Sequence, residues 1–181
     1  MTNNLIWIDL EMSGLEPDRH VILEIATIVT SSDLVILAEG PNIAIHHEKE
    51  SLTTIEEWSQ AHHEASGLLE RVRTSSHDLV LAETMTLEFL QKYTEAGESP
   101  VCGNSVWQDR RFLSKHMPTL NAFFHYRNVD VSTVKELANR WYPTLAKPKK
   151  RKDHLALNDI KESIAELKYY REKVFRPPWK S

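Results

Sequence analysis

The sequence predicts an α/β sandwich built on a mixed β-sheet, and three features of its patterning lead there. Three strand-like runs come before any long helix. Short apolar runs then alternate with stretches of helical spacing, and a long amphipathic helix closes the chain. Hairpin-linked strands at the start imply antiparallel pairing, and the later alternation of strand and helix implies parallel pairing, so the sheet is mixed.

Each element has a local reason. Asn4–Met12 reads as the first strand because Leu5, Ile6, Trp7 and Ile8 are apolar, β-branched or aromatic, and Ser13-Gly14 ends the run. Val21–Thr30 and Leu34–Ala38, joined by the polar Ser31-Ser32-Asp33, read as a hairpin, with Ile43–Ile45 extending the third strand beyond Gly40-Pro41. From about Ser51 the texture turns helical. Asp78–Thr94 sets Leu79, Ala82, Met85, Phe89 and Leu90 at helical spacing, and Gly97 lies just past its end. Pro100–Asn104 is expected to be a short buried strand leading into a helix over Val106–His116. Asn128–Val131 is the last strand. Ser132 or Thr133 is expected to cap the helix that ends near Trp141, since Thr133 and Glu136 have capping-box spacing. Asp153–Val174 is the final helix, with Leu157, Ile160, Ile164, Leu167 and Val174 along one side. No repeat and no linker divides the chain, so residues 1–181 are expected to form one domain.

Composition narrows the function classes. A chain of 181 residues, 41% hydrophobic and 27% charged, has the balance of a globular protein with a real core. Runs such as Leu5–Ile8 are too short for a bilayer, and the N-terminus lacks a signal-peptide pattern, so no membrane association is expected. A single cysteine, Cys102, fits a reducing, cytoplasmic setting. The net charge of −4 argues against a stable complex with long nucleic acid. Charge is nonetheless unevenly spread: residues 1–100 carry 5 Lys/Arg and 18 Asp/Glu, residues 101–181 carry 17 and 8. Solvated helix faces would account for that, and so would a site whose acidic half holds metal while its basic half meets phosphate. The basic tract Lys147–Lys152 reads as a solvated loop before the last helix.

The chemistry lies in carboxylates. Residues i and i+2 of a strand share a face, so Asp9 and Glu11 project together from the end of an otherwise apolar strand. Such a pair is costly unless cations or protons neutralise it. Asp109 opens a helix after the small-residue strand Val101–Ser105, where a carboxylate also suits the helix dipole. In His154-Leu-Ala-Leu-Asn-Asp159, the aspartate adjoins the apolar stripe and the histidine precedes it by about one and a half turns. Taken singly, each has an ordinary surface explanation. Together, four carboxylates can hold two hard divalent cations such as Mg²⁺ or Mn²⁺, and two ions about 4 Å apart stabilise the attacking and leaving oxygens of a phosphodiester. A histidine titrating near neutrality can accept the proton of an attacking water.

The order D-x-E, central Asp, H-x₄-D resembles the DEDDh exonuclease superfamily. Trp7–Leu15, Gly103–Phe112, Tyr126–Thr133 and Ala165–Tyr170 resemble the oligoribonuclease family within it. The resemblance implies a ribonuclease-H-like fold, a DEDD exonuclease architecture with a mixed sheet flanked by helices, and a homodimer. It implies 3′→5′ removal of nucleoside 5′-monophosphates from single-stranded RNA of two to a few nucleotides. By the same resemblance Asp9, Glu11, Asp109 and Asp159 would be metal ligands and His154 the general base. Leu15 and Trp58 would lie against bases, and His63 and Ser105 would help line the site. Tyr126 would reach in from the partner subunit. Arg127, Ser132 and Thr133 would cap the 5′ phosphate, also across the dimer. Two rivals stay open at this stage: a related exonuclease acting on longer RNA or DNA, and a non-catalytic nucleotide-binding module. The acidic net charge weighs against the first and the complete set of five catalytic residue types against the second.

Overall fold

The computed structural model describes residues 3–146 and 155–175. Its sheet contains β1 (Leu5–Met12), β2 (Ile22–Thr30), β3 (Ile36–Ala44), β4 (Val101–Gly103) and β5 (Asn128–Asp130), in the order β3-β2-β1-β4-β5. The first three strands pair antiparallel, and β4 and β5 run parallel to β1. The helices are α1 (Glu57–Ala65), α2 (Leu68–Thr74), α3 (Leu79–Leu90), α4 (Trp107–His116), α5 (Pro118–Phe123), α6 (Val131–Trp141) and α7 (Ala156–Lys173), with a 3-10 turn at Lys49–Thr54. This is the mixed sheet flanked by helices that the patterning predicts.

Alternation along β1 divides the interior. Ile6, Ile8 and Leu10 join one apolar core with Ile25, Leu90, Phe112 and Leu113, whereas Trp7 faces another with Ala26, Ile28, Cys102, Ile160 and Ile164. β2 is buried at every position, as a strand covered on both faces must be. Asp9 and Glu11 therefore continue the Trp7 side of β1, the side on which α7 packs. No helix among the described residues is long and apolar enough to cross a membrane.

Two expectations need correction. The third strand does not begin at Leu34; that residue turns the chain at φ 66° with its side chain buried, and β3 runs unbroken through Gly40-Pro41. Gly40 permits this because a Cβ there would lie 2.3 Å from Thr27 Oγ1. Nor is α6 capped by Ser132 or Thr133. Asp130, in extended conformation, caps it by accepting from the Ser132 amide at 2.9 Å, leaving the Ser132 hydroxyl for a different role. α5, opened by Pro118 at a position where proline loses no helical hydrogen bond, lies outside the elements read from the sequence.

Candidate active site

The end of β1 gathers the carboxylates. Asp159 lies in the first turn of α7, and Asp9, Glu11 and Asp159 each place one oxygen within 4.8 Å of the others. Asp109 joins them from α4. The β1–β4 pairing extends only to Trp7 and Cys102, and beyond it the Leu10 amide donates to Asp109 Oδ1 at 3.0 Å. Asp109 is thus locked to the backbone between Asp9 and Glu11, with 5% of its surface exposed. Three segments far apart in sequence thus meet at one strand end.

Electrostatics show the cost. Asp9 is held well above the usual carboxylate range by burial first, then by repulsion from Asp109, Glu11, Asp159 and Glu24. Glu11 is pushed up to about 8 by burial, Asp159, Glu24 and Asp109, against a downward pull from Arg71. Burial raises Asp109 to about 7, opposed by its bond from Leu10. Without a cation the cluster keeps protons near neutral pH. A partly buried, all-oxygen set of four acids fits hard divalent ions, and the residues present therefore suit the metal that the sequence implies.

Around the cluster, His63 is buried on α1, where its Nε2–H donates to the Met12 carbonyl at 2.9 Å while Nδ1 lies 3.9 Å from Glu11 Oε2. Burial holds its pKa below the usual histidine range. His154 lies outside the described residues. Leu15 is 61% exposed at the tip of a tight loop, and Gly14 closes that loop against the buried His20 ring, where a Cβ would stand 2.5 Å from Nε2. The Leu15 carbonyl is held by Gln108 at 2.6 Å, which leaves the side chain projecting. Trp58 is 69% exposed and stacks on His62 at 4.5 Å between centroids. Both apolar side chains thus face solvent rather than the core.

The remaining residues form two groups. Ser105, at φ 53°, donates its amide to Asp130 Oδ1 and Ser132 Oγ, each at 3.0 Å. Ser132 Oγ in turn donates to Asn104 Oδ1 at 3.1 Å, and Asn104 Nδ2 donates to Ser163 Oγ at 2.7 Å. Ser163 then bonds the Asp159 carbonyl at 2.8 Å, so the network ties α6 to the helix that carries a cluster residue. Thr133 is exposed beside it. Tyr126 and Arg127 stand apart and exposed, with the guanidinium 5.3 Å from the Tyr126 ring centroid. The sequence reading missed Asn104, Asp130 and the pair formed by buried Glu24 and half-buried Arg71. The one available signal was Glu24, a charge inside the apolar run Val21–Thr30.

A carboxylate cluster at the end of the central strand of such a sheet defines the class, a nuclease fold with an acidic centre. The family model described as Exonuclease, RNase_T, matches residues 6–167. Oligoribonuclease of Coxiella burnetii is 62% identical over 170 residues, 93% of each chain. That of Dichelobacter nodosus is 57% identical over 176 residues, 97% of each. That of Pseudomonas savastanoi pv. phaseolicola is 58% identical over 174 residues, covering 96% of this chain and 97% of the relative. The chain belongs to the oligoribonuclease family of exonucleases. Among solved structures, apo exonuclease I superposes with a TM-score of 0.68 at 14% identity, covering 95% of this chain and 42% of the other. E. coli exonuclease I in complex with a 5cy-dT13 oligonucleotide gives 0.68 at 15%, over 96% and 42%. The chain spans about two fifths of exonuclease I, and that likeness shows the shared exonuclease fold.

Proposed function

We propose that this family member is a two-metal 3′→5′ exoribonuclease that degrades short single-stranded RNA, dinucleotides above all, to nucleoside 5′-monophosphates. One observation carries the reading: four buried or partly buried acids converge on one strand end, and among the described residues only Arg71 is seen to pull Glu11 down, too little to offset the burial and repulsion that raise Asp9 and Glu11. Asp9, Glu11, Asp109 and Asp159 would hold two divalent cations, Mg²⁺ or Mn²⁺. When bound, these supply electrostatic stabilisation of the charge that develops on the phosphodiester oxygens.

The chain's own groups do the rest. The Leu10 amide orients Asp109 before any ligand arrives, and the carboxylates release protons as the cations enter. His154, as general base, would take a proton from the attacking water. Leu15 and Trp58, already exposed, offer apolar surfaces to the bases. His63 and Ser105 would line the pocket. In a homodimer Tyr126 would enter from the partner, and Arg127, Ser132 and Thr133 would close over the 5′ phosphate. The guanidinium fork suits a phosphate, while Ser132 can join only by giving up its bond to Asn104. We place the enzyme in the cytoplasm, as a single exonuclease domain over residues 1–181, with no stable complex on long nucleic acid.

The test is hydrolysis of 5′-phosphorylated RNAs of two and seven nucleotides, and of a DNA dinucleotide, with Mg²⁺, Mn²⁺ or chelator. Metal-dependent release of 5′-monophosphates from the 3′ end, fastest on the RNA dinucleotide, is expected. Internal cleavage, 3′-phosphate products or undiminished turnover in chelator would refute the reading.

A further inference from the structure

Glu24 is a fifth carboxylate behind the cluster. It stands directly opposite Glu11 in the β1–β2 register with 1% of its surface exposed. Facing residues of an antiparallel pair project from the same side of the sheet, with Cβ atoms about 4.5–5.5 Å apart. Arg71 of α2 reaches in and donates through Nη1 to Glu24 Oε1. Glu24 Oε2 and Arg71 Nη2 are buried without a hydrogen-bond partner among the described residues, so the pair is less than fully satisfied. The other side of Arg71 borders an open pocket of about 440 Å³ with Thr74, Ser75 and His77.

Stability alone explains the pair poorly. α2 already docks on the sheet through Leu68, Leu69 and Val72 packed against Leu23, and an ion pair whose carboxylate is buried while its guanidinium is 39% exposed offers little net gain over apolar packing. Its position relative to Glu11 offers a better reason. A guanidinium fork is the strongest protein counter-ion a carboxylate can meet, and it binds in the plane that a cation would otherwise use.

We infer that Glu24 is a positioning residue for Glu11: by engaging Arg71 it keeps the guanidinium off Glu11 and leaves that carboxylate open to a divalent cation. The inference rests on reading Glu11 as a metal ligand. Removing the Glu24 charge frees Arg71 to pair with Glu11 and compete with metal. Removing both charges abolishes the competitor, and metal binding returns. Removing Arg71 alone adds no competitor, so binding is not weakened. A purely structural clamp predicts a different order, with each single change harmful and the double change no better.

The experiment measures Mn²⁺ affinity of the full chain at pH 8 by calorimetry and by the spin-resonance signal of unbound Mn²⁺. Glu24→Gln should weaken binding by about 10–100-fold, the range typical of outer-shell partners. Arg71→Met should bind at least as tightly as the wild type. Glu24→Gln with Arg71→Met should return to within about threefold of it, as a double-mutant cycle on a coupled pair requires. Wild-type affinity in Glu24→Gln overturns the proposal, as does equal weakening in Arg71→Met or a double variant as weak as Glu24→Gln. If Glu24→Gln alone does not fold, the double variant decides: near-wild-type affinity supports the proposal, and a loss as large as that of Glu11→Gln overturns it. Glu11→Gln also separates the two levels. Unchanged Mn²⁺ binding there removes Glu11 from the metal site and the inference with it. Lost binding there, beside an unaffected Glu24→Gln, removes only the positioning role.

Discussion

Cation binding at this site should be coupled to proton release, and the coupling can be sized from the cluster itself. Glu11 sits near 8 and Asp109 near 7, while Asp9 is raised by burial and by its acidic neighbours. A group titrating near 7 and one near 8 together hold about two protons at pH 6 and well under one at pH 8, and a metal displaces whatever is held. Integrating that difference, Mn²⁺ affinity should rise by about two to three orders of magnitude between pH 6 and pH 8 and flatten above it. The stability of the metal-free chain runs the other way. These folded pKa values lie above the unfolded ones, so the protonated cluster's contribution is fully present below about pH 4 and is lost as pH rises through about 7–8. Metal should restore it most in the upper part of that window. Calorimetric titration with Mn²⁺ in two buffers of different ionisation enthalpy counts the released protons directly, and thermal melts with and without metal follow the stability. Affinity independent of pH, or no proton release at pH 6, would refute the picture of a repulsive buried cluster awaiting a cation.

Four further outcomes follow from the proposed function and the fold. Asp9→Ala, Glu11→Ala, Asp109→Ala and Asp159→Ala should each cut dinucleotide hydrolysis by more than about 10³-fold, since an ion supplies several kcal/mol of charge stabilisation. Circular dichroism should show the fold intact, and turnover near the wild-type rate removes that residue from the centre. His154→Ala should lower the rate at pH 7 by about 10²–10⁴-fold with little change in affinity, and the loss should shrink as pH rises. An equal loss at all pH values contradicts a proton-acceptor role. Gly14→Ala sets a Cβ 2.5 Å from His20 Nε2, and denaturant unfolding should register about 1–3 kcal/mol of overpacking; an unchanged midpoint means the loop is not held as described. Arg127→Ala should cost a 5′-phosphorylated dinucleotide about 1.5–3 kcal/mol of binding and a seven-nucleotide RNA less, with the dimer checked by light scattering. Equal losses at both lengths would argue against a cap at fixed distance.

What was legible in the sequence depended on how local its cause was. Asp9 and Glu11 could be assigned to one face because a strand's period is fixed and Leu5–Ile8 declares the strand. The helix over Leu79–Leu90 showed itself through its stripe, and the structure adds Asp78, which caps it by accepting from Leu81 at 2.8 Å. Contacts decided by three-dimensional crowding stayed hidden. Capping-box spacing points to Ser132 or Thr133 as the cap of α6, whereas Asp130 takes the Ser132 amide and the Ser132 hydroxyl is drawn into bonds with Asn104 and Ser105. Leu15 and Trp58 could equally have been core residues on composition. Their exposure follows from the closure of Gly14 on His20 and from stacking on His62, which no periodicity encodes.

The apolar packing and the acidic site depend on each other through α7. Ile160 and Ile164 dock this helix on the Trp7, Ala26 and Cys102 face of the sheet, the face from which Asp9 and Glu11 also project. Asp159 precedes Ile160 by one residue, so the core contact that seats Ile160 also sets how far Asp159 stands from the strand end. Ser163, one turn later, bonds the Asp159 carbonyl and is itself held by Asn104, which fixes the helix's rotation as the isoleucines fix its depth. In the absence of a cation, the crowding of Asp159 against Asp9 and Glu11 shows in the raised pKa of both strand carboxylates, which keeps protons on the cluster near neutral pH. Burial of the Ile160 and Ile164 side chains contributes roughly 1.5–3 kcal/mol each to the docking of α7. The site is therefore preorganised by its core: the hydrophobic seam of α7 keeps three oxygens within reach of a common ion before the ion arrives.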